Sequence, residues 1–495
     1  MRCMFKQDSS GRSLVTSPVR DSLNNKVNSR MMIIIIAMAA AGILLSLFAS
    51  QFARGSLILA AGIAVAAIGF VIGSDYRRGW LVLLVVSTTS VIQVRFSSFN
   101  IRPDEVMFIW LTVIWLCSFV IGKVRLRHTP MLIPVIGIIG VNLLSTFLYA
   151  PDKTFGYQSS LLIALYLSMY IITVNVLSEN PKLLKATPFI FVVLGVAQAG
   201  YGLIGLAGHA LHLKLGGITT STAGFGIAAS GGFQEENILG AFLAVVALIL
   251  LAHVAAKTRW WRTRRAFLAT GMVIVISAFI CTFTRTAWIG FVVGALSLIV
   301  IMRPPRNFFD PRTLAILLSM ASIFFAIGMP LGNYLSKNNG GNNSGLTDRI
   351  SNLLNFSQGS GQGRMQIESL ALSRWENSPL LGNGTYSMPK TGPGRTAQGS
   401  WLYSSVIQSL HDTGLVGTIF LIWIYIGGAI IGIRGIYNSS TRFWKATIAG
   451  GTLGWIALII SSQASSTAWL SVSWIYLGLL VSWSLNVRML EAETS

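Results

Sequence analysis

The sequence predicts an all-α, polytopic integral membrane protein, on three observations. Of its 495 residues, 53% are hydrophobic and only 11% are charged. Uncharged apolar runs recur from Met31 to Val487, and about 20 such residues in a helix cross the hydrocarbon of a bilayer. The charges gather in the short segments between the runs, where water or headgroups can solvate them.

Fourteen candidate helices follow, each bounded by charged or Pro/Gly-rich punctuation. They centre on 31–50, 56–74, 79–94, 105–122, 130–149, 156–177, 186–206, 237–256, 266–284, 286–302, 313–332, 414–433, 446–461 and 467–486. The first run exceeds the apolar core of a cleavable secretion signal, roughly 7–15 residues, and reads as a retained helix. The last two come from one uncharged stretch, Ala446–Val487, too long for a single span and broken by the polar turn SSQASST (461–467). Residues 1–30 are polar and Ser/Asn/Arg-rich, a disordered cytoplasmic tail by composition. The expected organisation is helices 1–11 over 31–332 with an outer loop at 207–236, then a large outer loop with amphipathic helices over 333–413. Helices 12–14 over 414–487 and a cytoplasmic tail over 488–495 complete the chain.

The net charge of +21 follows from this topology. With both termini in the cytoplasm, the basic loops KVRLR (123–127), KTRWWRTRR (257–265) and RPPR (303–306) all face inward, as the positive-inside rule requires. The basic balance is topogenic, and nucleic acid is excluded as a partner. Three cysteines provide neither a disulfide framework nor a metal-ligand spacing. His209 and His212 are spaced i, i+3 without a third ligand, so no metal is expected.

Chemistry concentrates at the outer ends of the later helices. Arg285 stands alone between the uncharged runs Ala266–Thr284 and Thr286–Met302, and an arginine in a lipid-facing helix costs roughly 2.5–3.5 kcal/mol on insertion scales. A guanidinium matches phosphate oxygens in a two-point fashion, whereas the bland reading is snorkelling to the interface. In the long loop, RMQIESLALSRWENSP (364–379) reads as a helix stopped before Pro379, with Arg364, Glu368, Ala371 and Trp375 on one face and Ile367 and Leu370 alongside. PLLGNG (379–384) is a turn whose N–H groups could face an anion. GSWLYSSVIQSLHDTGLVGTIFLIW (399–423) reads as an amphipathic helix leading into the next span, with His411 and Asp412 at the junction, and Glu235, Glu236 and Asn237 open the helix at 237–256. On pattern alone, interfacial capping and macrodipole stabilisation are the favoured reading of these groups.

Four segments in order resemble the O-antigen ligase/polymerase family of membrane glycosyltransferases: GGFQEENILGAF (231–242), TFTRTAWIGF (282–291), GRMQIESLALSRWENSPLLGNG (363–384) and SWLYSSVIQSLHDTGLVG (400–417). IRPDEVMFIWL (101–111) is similar to a further family stretch. The resemblance implies a fold like that of the polytopic lipid-sugar glycosyltransferases. It also implies a reaction that moves a glycan from undecaprenyl diphosphate to a hydroxyl acceptor, with no cofactor. By analogy Arg285 and Arg364 grip the diphosphate as it leaves, with Arg374, Glu235, Glu236 and Asn237 as further substrate contacts. Family ligases carry His and then Asn, Ser or Gln, nine residues ahead of G-x-x-G; here Tyr403-Ser404 stands there. Tyrosine, with an ordinary pKa near 10, is a poor base at neutral pH, so this departure favours a polymerase, with His411 and Asp412 assisting the acceptor hydroxyl. The expectation is a polymerase of undecaprenyl-diphosphate-linked oligosaccharides in the bacterial cytoplasmic membrane. It would contact membrane lipid and work beside a flippase and a chain-length regulator. A ligase, or a transporter of lipid-linked oligosaccharide, remains the alternative.

Overall fold

The computed structural model describes residues 75–89, 94–96, 99–127, 129–211, 219–222, 226–233, 235–302, 360–388 and 402–492. The spans expected at 31–50, 56–74 and 313–332 and the tail 1–30 lie outside the described residues, as do His212 and Trp401. Eight described helices are long and apolar enough to cross a membrane. They are α2 (Pro103–Val120), α3 (Leu132–Tyr149), α4 (Lys153–Ser178), α5 (Pro181–Ala210), α6 (Glu236–Ala255), α9 (Arg285–Met302), α11 (Ser405–Asn438) and α12 (Arg442–Ser461). Two shorter apolar helices, α8 (Arg265–Cys281) and α13 (Ser471–Leu485), occupy positions where spans were expected. Short helices α1 (Tyr76–Ser87), α7 (Arg259–Thr263) and α14 (Val487–Ala492) complete the bundle, with α10 (Ser360–Trp375) in the long loop.

The described residues are mostly helical, as the expected all-α class requires, and two short hairpins are added to it: β1 (Val94–Phe96) pairs antiparallel with β2 (Phe99–Ile101), and β3 (Thr219–Thr222) with β4 (Gly226–Ala229). One span differs from the expectation. The span expected at 79–94 is the shorter α1. Its end is written in three consecutive hydroxyls, because Ser87, Thr88 and Thr89 donate back to the carbonyls of Leu84, Val85 and Val86 at 2.8, 2.7 and 2.8 Å. Such bonds take up carbonyls that a continuing helix would need. Other ends follow ordinary capping: Asp152 accepts from Phe155 N at 3.0 Å, and α5 opens on Pro181 behind Asn180, ahead of the expected start at 186.

Among the described helices α6 is central, enclosed by α12, α9, α8, α5 and β4. Its apolar window is almost wholly buried in protein, so it meets its neighbours rather than lipid. Close approach depends on small residues, as it does in membrane bundles generally. A Cβ on Gly450 of α12 would sit 2.6 Å from Ile249 Cα, and one on Gly290 of α9 2.8 Å from the Ala457 carbonyl. Around this centre α11 packs on α3 and α12, and α13 on α4. Ile109, Ile133, Val300 and Ile419 stay exposed on the outer helices, the pattern of a lipid-facing perimeter. The start of α6, the ends of α8 and α12, the starts of α9, α11 and α13, and α10 all meet at one end of the bundle.

Candidate active site

At that end α8 stops at Cys281, where Thr282 Oγ1 donates to the Phe279 carbonyl at 2.7 Å and Phe283 adopts φ 53°. The chain reverses within three residues, and α9 opens on Arg285. Thr284 Oγ1 donates to the Glu236 carbonyl at 3.3 Å, clamping this turn to the first turn of α6. Arg285, Glu236 and Asn237 are half-buried, while Glu235 remains exposed. The sequence signals of two separate motifs thus meet at one bond.

Arg364 reaches the same end from α10. The expected face is real: Ala371 is fully buried against Met388 and Leu402, with Ile367 and Ile407 packed on them, and Leu370 stays exposed. Glu368 Oε1 accepts from Ser404 N at 2.9 Å. Arg364 Nη1 donates to the Ala464 carbonyl at 2.8 Å, and its guanidinium carbon lies 4.4 Å from the Tyr403 ring centroid, a cation–π contact. Ala464 belongs to the SSQASST turn, which is itself bonded to the start of α11 through Ser405 N to the Ser462 carbonyl at 2.9 Å and Ser404 Oγ to Gln463 Oε1 at 3.0 Å. Arg364 is therefore held in a fixed orientation by a carbonyl, a ring and the helix beneath it. Arg374, half-buried, lies ten residues further along α10, roughly 15 Å along the axis at 1.5 Å per residue.

The charges interact. Arg364 lies near enough to Arg285 for the two cations to repel, and near enough to Glu235 and Glu368 to attract their carboxylates. Glu235 is exposed as a residue, yet protein crowds its carboxyl group. That burial, and then the neighbouring Glu236 charge, raise its pKa, with Arg364 opposing. Burial likewise raises Glu368, against the Ser404 N–H bond and Arg364. Two guanidinium groups near enough to repel each other make an electrostatic setting that would favour an anion, most strongly where water is excluded.

His411 and Asp412 belong to a different assembly. Near its start α11 is interrupted at Gly414, which takes φ 66° and ψ −162°, at the position expected to join the amphipathic helix to the span. The break frees backbone groups that a regular helix would pair, and the 379–384 turn fills it. Leu415 N and Val416 N donate to the carbonyls of Pro379 and Leu380 at 2.9 and 3.2 Å, and the carbonyls of His411 and Asp412 accept from Asn383 N and Gly384 N at 2.8 and 3.2 Å. The N–H groups of this turn, offered by the sequence as possible anion donors, are thus used inside the protein. His411 Nδ1 and Asp412 Oδ1 are 2.7 Å apart, and Asp412 Oδ2 accepts from Tyr386 N at 3.1 Å and Gln408 Nε2 at 3.3 Å. Ser145 of α3 donates to the Asp412 carbonyl at 2.7 Å. Both side chains are buried, at 0% and 3% exposure.

Residues 270–422 match the O-antigen ligase family. The resemblance read from the sequence is borne out over this ligase-type region, which contains Arg285, Arg364, Arg374, Tyr403, His411 and Asp412. Comparison with curated proteins finds no match. Glu235, Glu236 and Asn237 precede the ligase-type region in sequence but are joined to it by the Thr284 bond.

A second charged cluster lies outside the ligase-type region, and sequence reasoning gave it no role. Arg102 Nε lies 3.0 Å from Glu105 Oε1 and 3.6 Å from Asp104 Oδ1, all three buried. Tyr166 Oη donates to Glu105 Oε1 at 2.6 Å, and Ser471 Oγ, at the start of α13, donates to Asp104 Oδ2. This ties the IRPDEV motif to the chain segment that follows the SSQASST turn. The available signal was three charges heading an apolar helix, with no hint of their partners. Arg102→Met should destabilise the protein by about 3–5 kcal/mol, because it leaves buried carboxylates without their cation. Denaturant unfolding of the purified protein measures this, and adding Glu105→Gln to the same chain should recover part of the loss.

Proposed function

We propose that the protein is a glycosyltransferase that polymerises undecaprenyl-diphosphate-linked oligosaccharide repeat units at the outer face of the bacterial cytoplasmic membrane. The observation that carries this reading is the meeting of Arg285 and Arg364, which come from separate motifs yet interact at one end of the bundle. In this role they bind the donor diphosphate and stabilise the charge that gathers on it as the sugar bond breaks, which is electrostatic catalysis by fixed groups. Tyr403 and the Ala464 carbonyl orient Arg364, while Glu236, Asn237 and Arg374 contact the rest of the donor. His411 and Asp412, closed into the helix break, maintain the architecture of the acceptor side instead of touching the hydroxyl. The acceptor is the sugar end of a second lipid-linked unit; a flippase supplies the donor and a chain-length regulator limits the product.

The match to the O-antigen ligase family favours a second reading, transfer to a different acceptor in the manner of a ligase. Tyr403, standing where family ligases carry histidine, supports the polymerase. Purified protein in liposomes, given one defined undecaprenyl-diphosphate oligosaccharide and no other acceptor, distinguishes them. A ladder of repeat units is expected, falling about 10²–10³-fold in rate for Arg285→Ala, the usual effect of removing one oxyanion-stabilising donor. A product that forms only after lipid A-core or another acceptor is added establishes the ligase. No transfer to any acceptor, with lipid-linked sugar crossing the bilayer, establishes the transporter.

A further inference from the structure

Transfer to a hydroxyl requires a group that takes its proton, and the carboxylates around the arginine pair differ in what they are free to do. Glu368 accepts from Ser404 N. Asp412 accepts from Tyr386 N and Gln408 Nε2, and His411, fully buried, is bonded through Nδ1 to Asp412. The face of Tyr403 lies against Arg364. Glu235 is placed differently. It is the N-cap residue of α6, and its carbonyl accepts from Ile238 N and Leu239 N, yet its side chain caps no helix N–H and makes no hydrogen bond with another described residue. The residue is exposed as a whole, its carboxylate interacts with Arg364, and the Thr284–Glu236 bond holds the helix start against the turn that opens on Arg285.

We propose that Glu235 is the catalytic base that deprotonates the acceptor hydroxyl, a role that rests on the transferase reading above. The carboxylate takes the hydroxyl proton as that oxygen bonds to the anomeric carbon of the donor sugar. The bond from this carbon to the diphosphate oxygen breaks, and its electron pair leaves with the diphosphate, where Arg285 and Arg364 meet the charge. Glu235 then passes its proton to water. The charged groups that face Glu235 are Glu236 on its own helix and Arg364 from α10, with Arg285 across from Arg364. The raised pKa of Glu235 brings the base nearer the pH at which it works, as efficient proton transfer favours.

The test measures initial transfer rates from a defined undecaprenyl-diphosphate oligosaccharide in liposomes, over a pH series, for wild type, Glu235→Gln and Glu235→Asp. The wild-type rate should fall on the acid side as Glu235 protonates. Glu235→Gln should lose about 100-fold in kcat at neutral pH, with donor KM within about twofold, and its residual activity should lose the acid limb. Glu235→Asp should keep that limb at a reduced rate, which shows that the loss is chemical and not a failure to fold. A Glu235→Gln rate within about threefold of wild type, or a rise in KM with the acid limb intact, overturns the assignment. Wild-type protein that transfers to no acceptor overturns the transferase reading itself, an outcome distinct from the others because it needs no variant.

Discussion

Arg364→Ala should reduce transfer by about 10²–10³-fold in kcat, equivalent to about 2.7–4 kcal/mol of transition-state stabilisation. Arg364→Lys should recover little of it. The guanidinium gives one N–H to the Ala464 carbonyl and its face to Tyr403, which fixes the direction of its remaining donors. A lysine ammonium is a compact charge that cannot use a carbonyl, a ring and two phosphate oxygens in one planar arrangement. It would satisfy Ala464 or the proposed donor diphosphate, not both. Single-turnover transfer by each variant, with unfolding measured in parallel, isolates the effect. If Arg364→Lys retains more than about a third of wild-type activity, Arg364 contributes charge alone and its fixed orientation has no catalytic consequence. The contribution of Arg285 should be similar in size but should not simply add to it, since in the proposed role the two act on one leaving group.

The second large effect is structural. Gly414→Ala should cost about 2–5 kcal/mol, from two sources. The φ 66°, ψ −162° conformation lies in a region occupied essentially by glycine alone. A Cβ there would also sit 2.3 Å from the Leu380 carbonyl oxygen and 2.6 Å from Gly382 N, so the turn that fills the break would have to withdraw. Its withdrawal would expose the paired groups of Leu415, Val416, His411 and Asp412 together, which makes the loss cooperative. Denaturant unfolding in detergent measures the stability. Limited proteolysis within 379–388 reports the turn directly, and cleavage there should accelerate in the variant while the membrane helices stay protected. Unchanged stability and unchanged cleavage would mean that the turn does not depend on the break.

The two sites were unequally legible in the sequence. Arg285 and Arg364 stood out because each breaks a local pattern, one an uncharged stretch and the other an amphipathic face. Their meeting was suggested only by resemblance to a family. The junction at Gly414 was also visible, as the place where an amphipathic helix gives way to an apolar one. The purpose of the glycine was hidden, because the turn that needs it lies some thirty residues earlier in the chain. The same distance made His411 and Asp412 look like accessible interfacial groups. Nothing local indicates that their carbonyls complete another segment's hydrogen bonds, or that this draws their side chains into the interior. Glu235 and Glu236 form a similar pair in sequence, and their different exposure arises only when α6 docks against the Thr282–Arg285 turn.

By itself, then, the sequence determined a helical membrane bundle, several of its spans and the arginines that break its apolar and amphipathic patterns. These rest on apolar runs, helical periodicity and unusual charges, all of which are properties of neighbouring residues. Tertiary structure alone decided which charges face one another and which are closed away. Those outcomes depend on bonds such as Asn383 to His411, Arg364 to Ala464 and Ser471 to Asp104, which join residues 28, 100 and 367 positions apart. Inside a bundle with little water, each buried polar group must find a partner wherever the fold brings one, and local sequence carries no record of where that is.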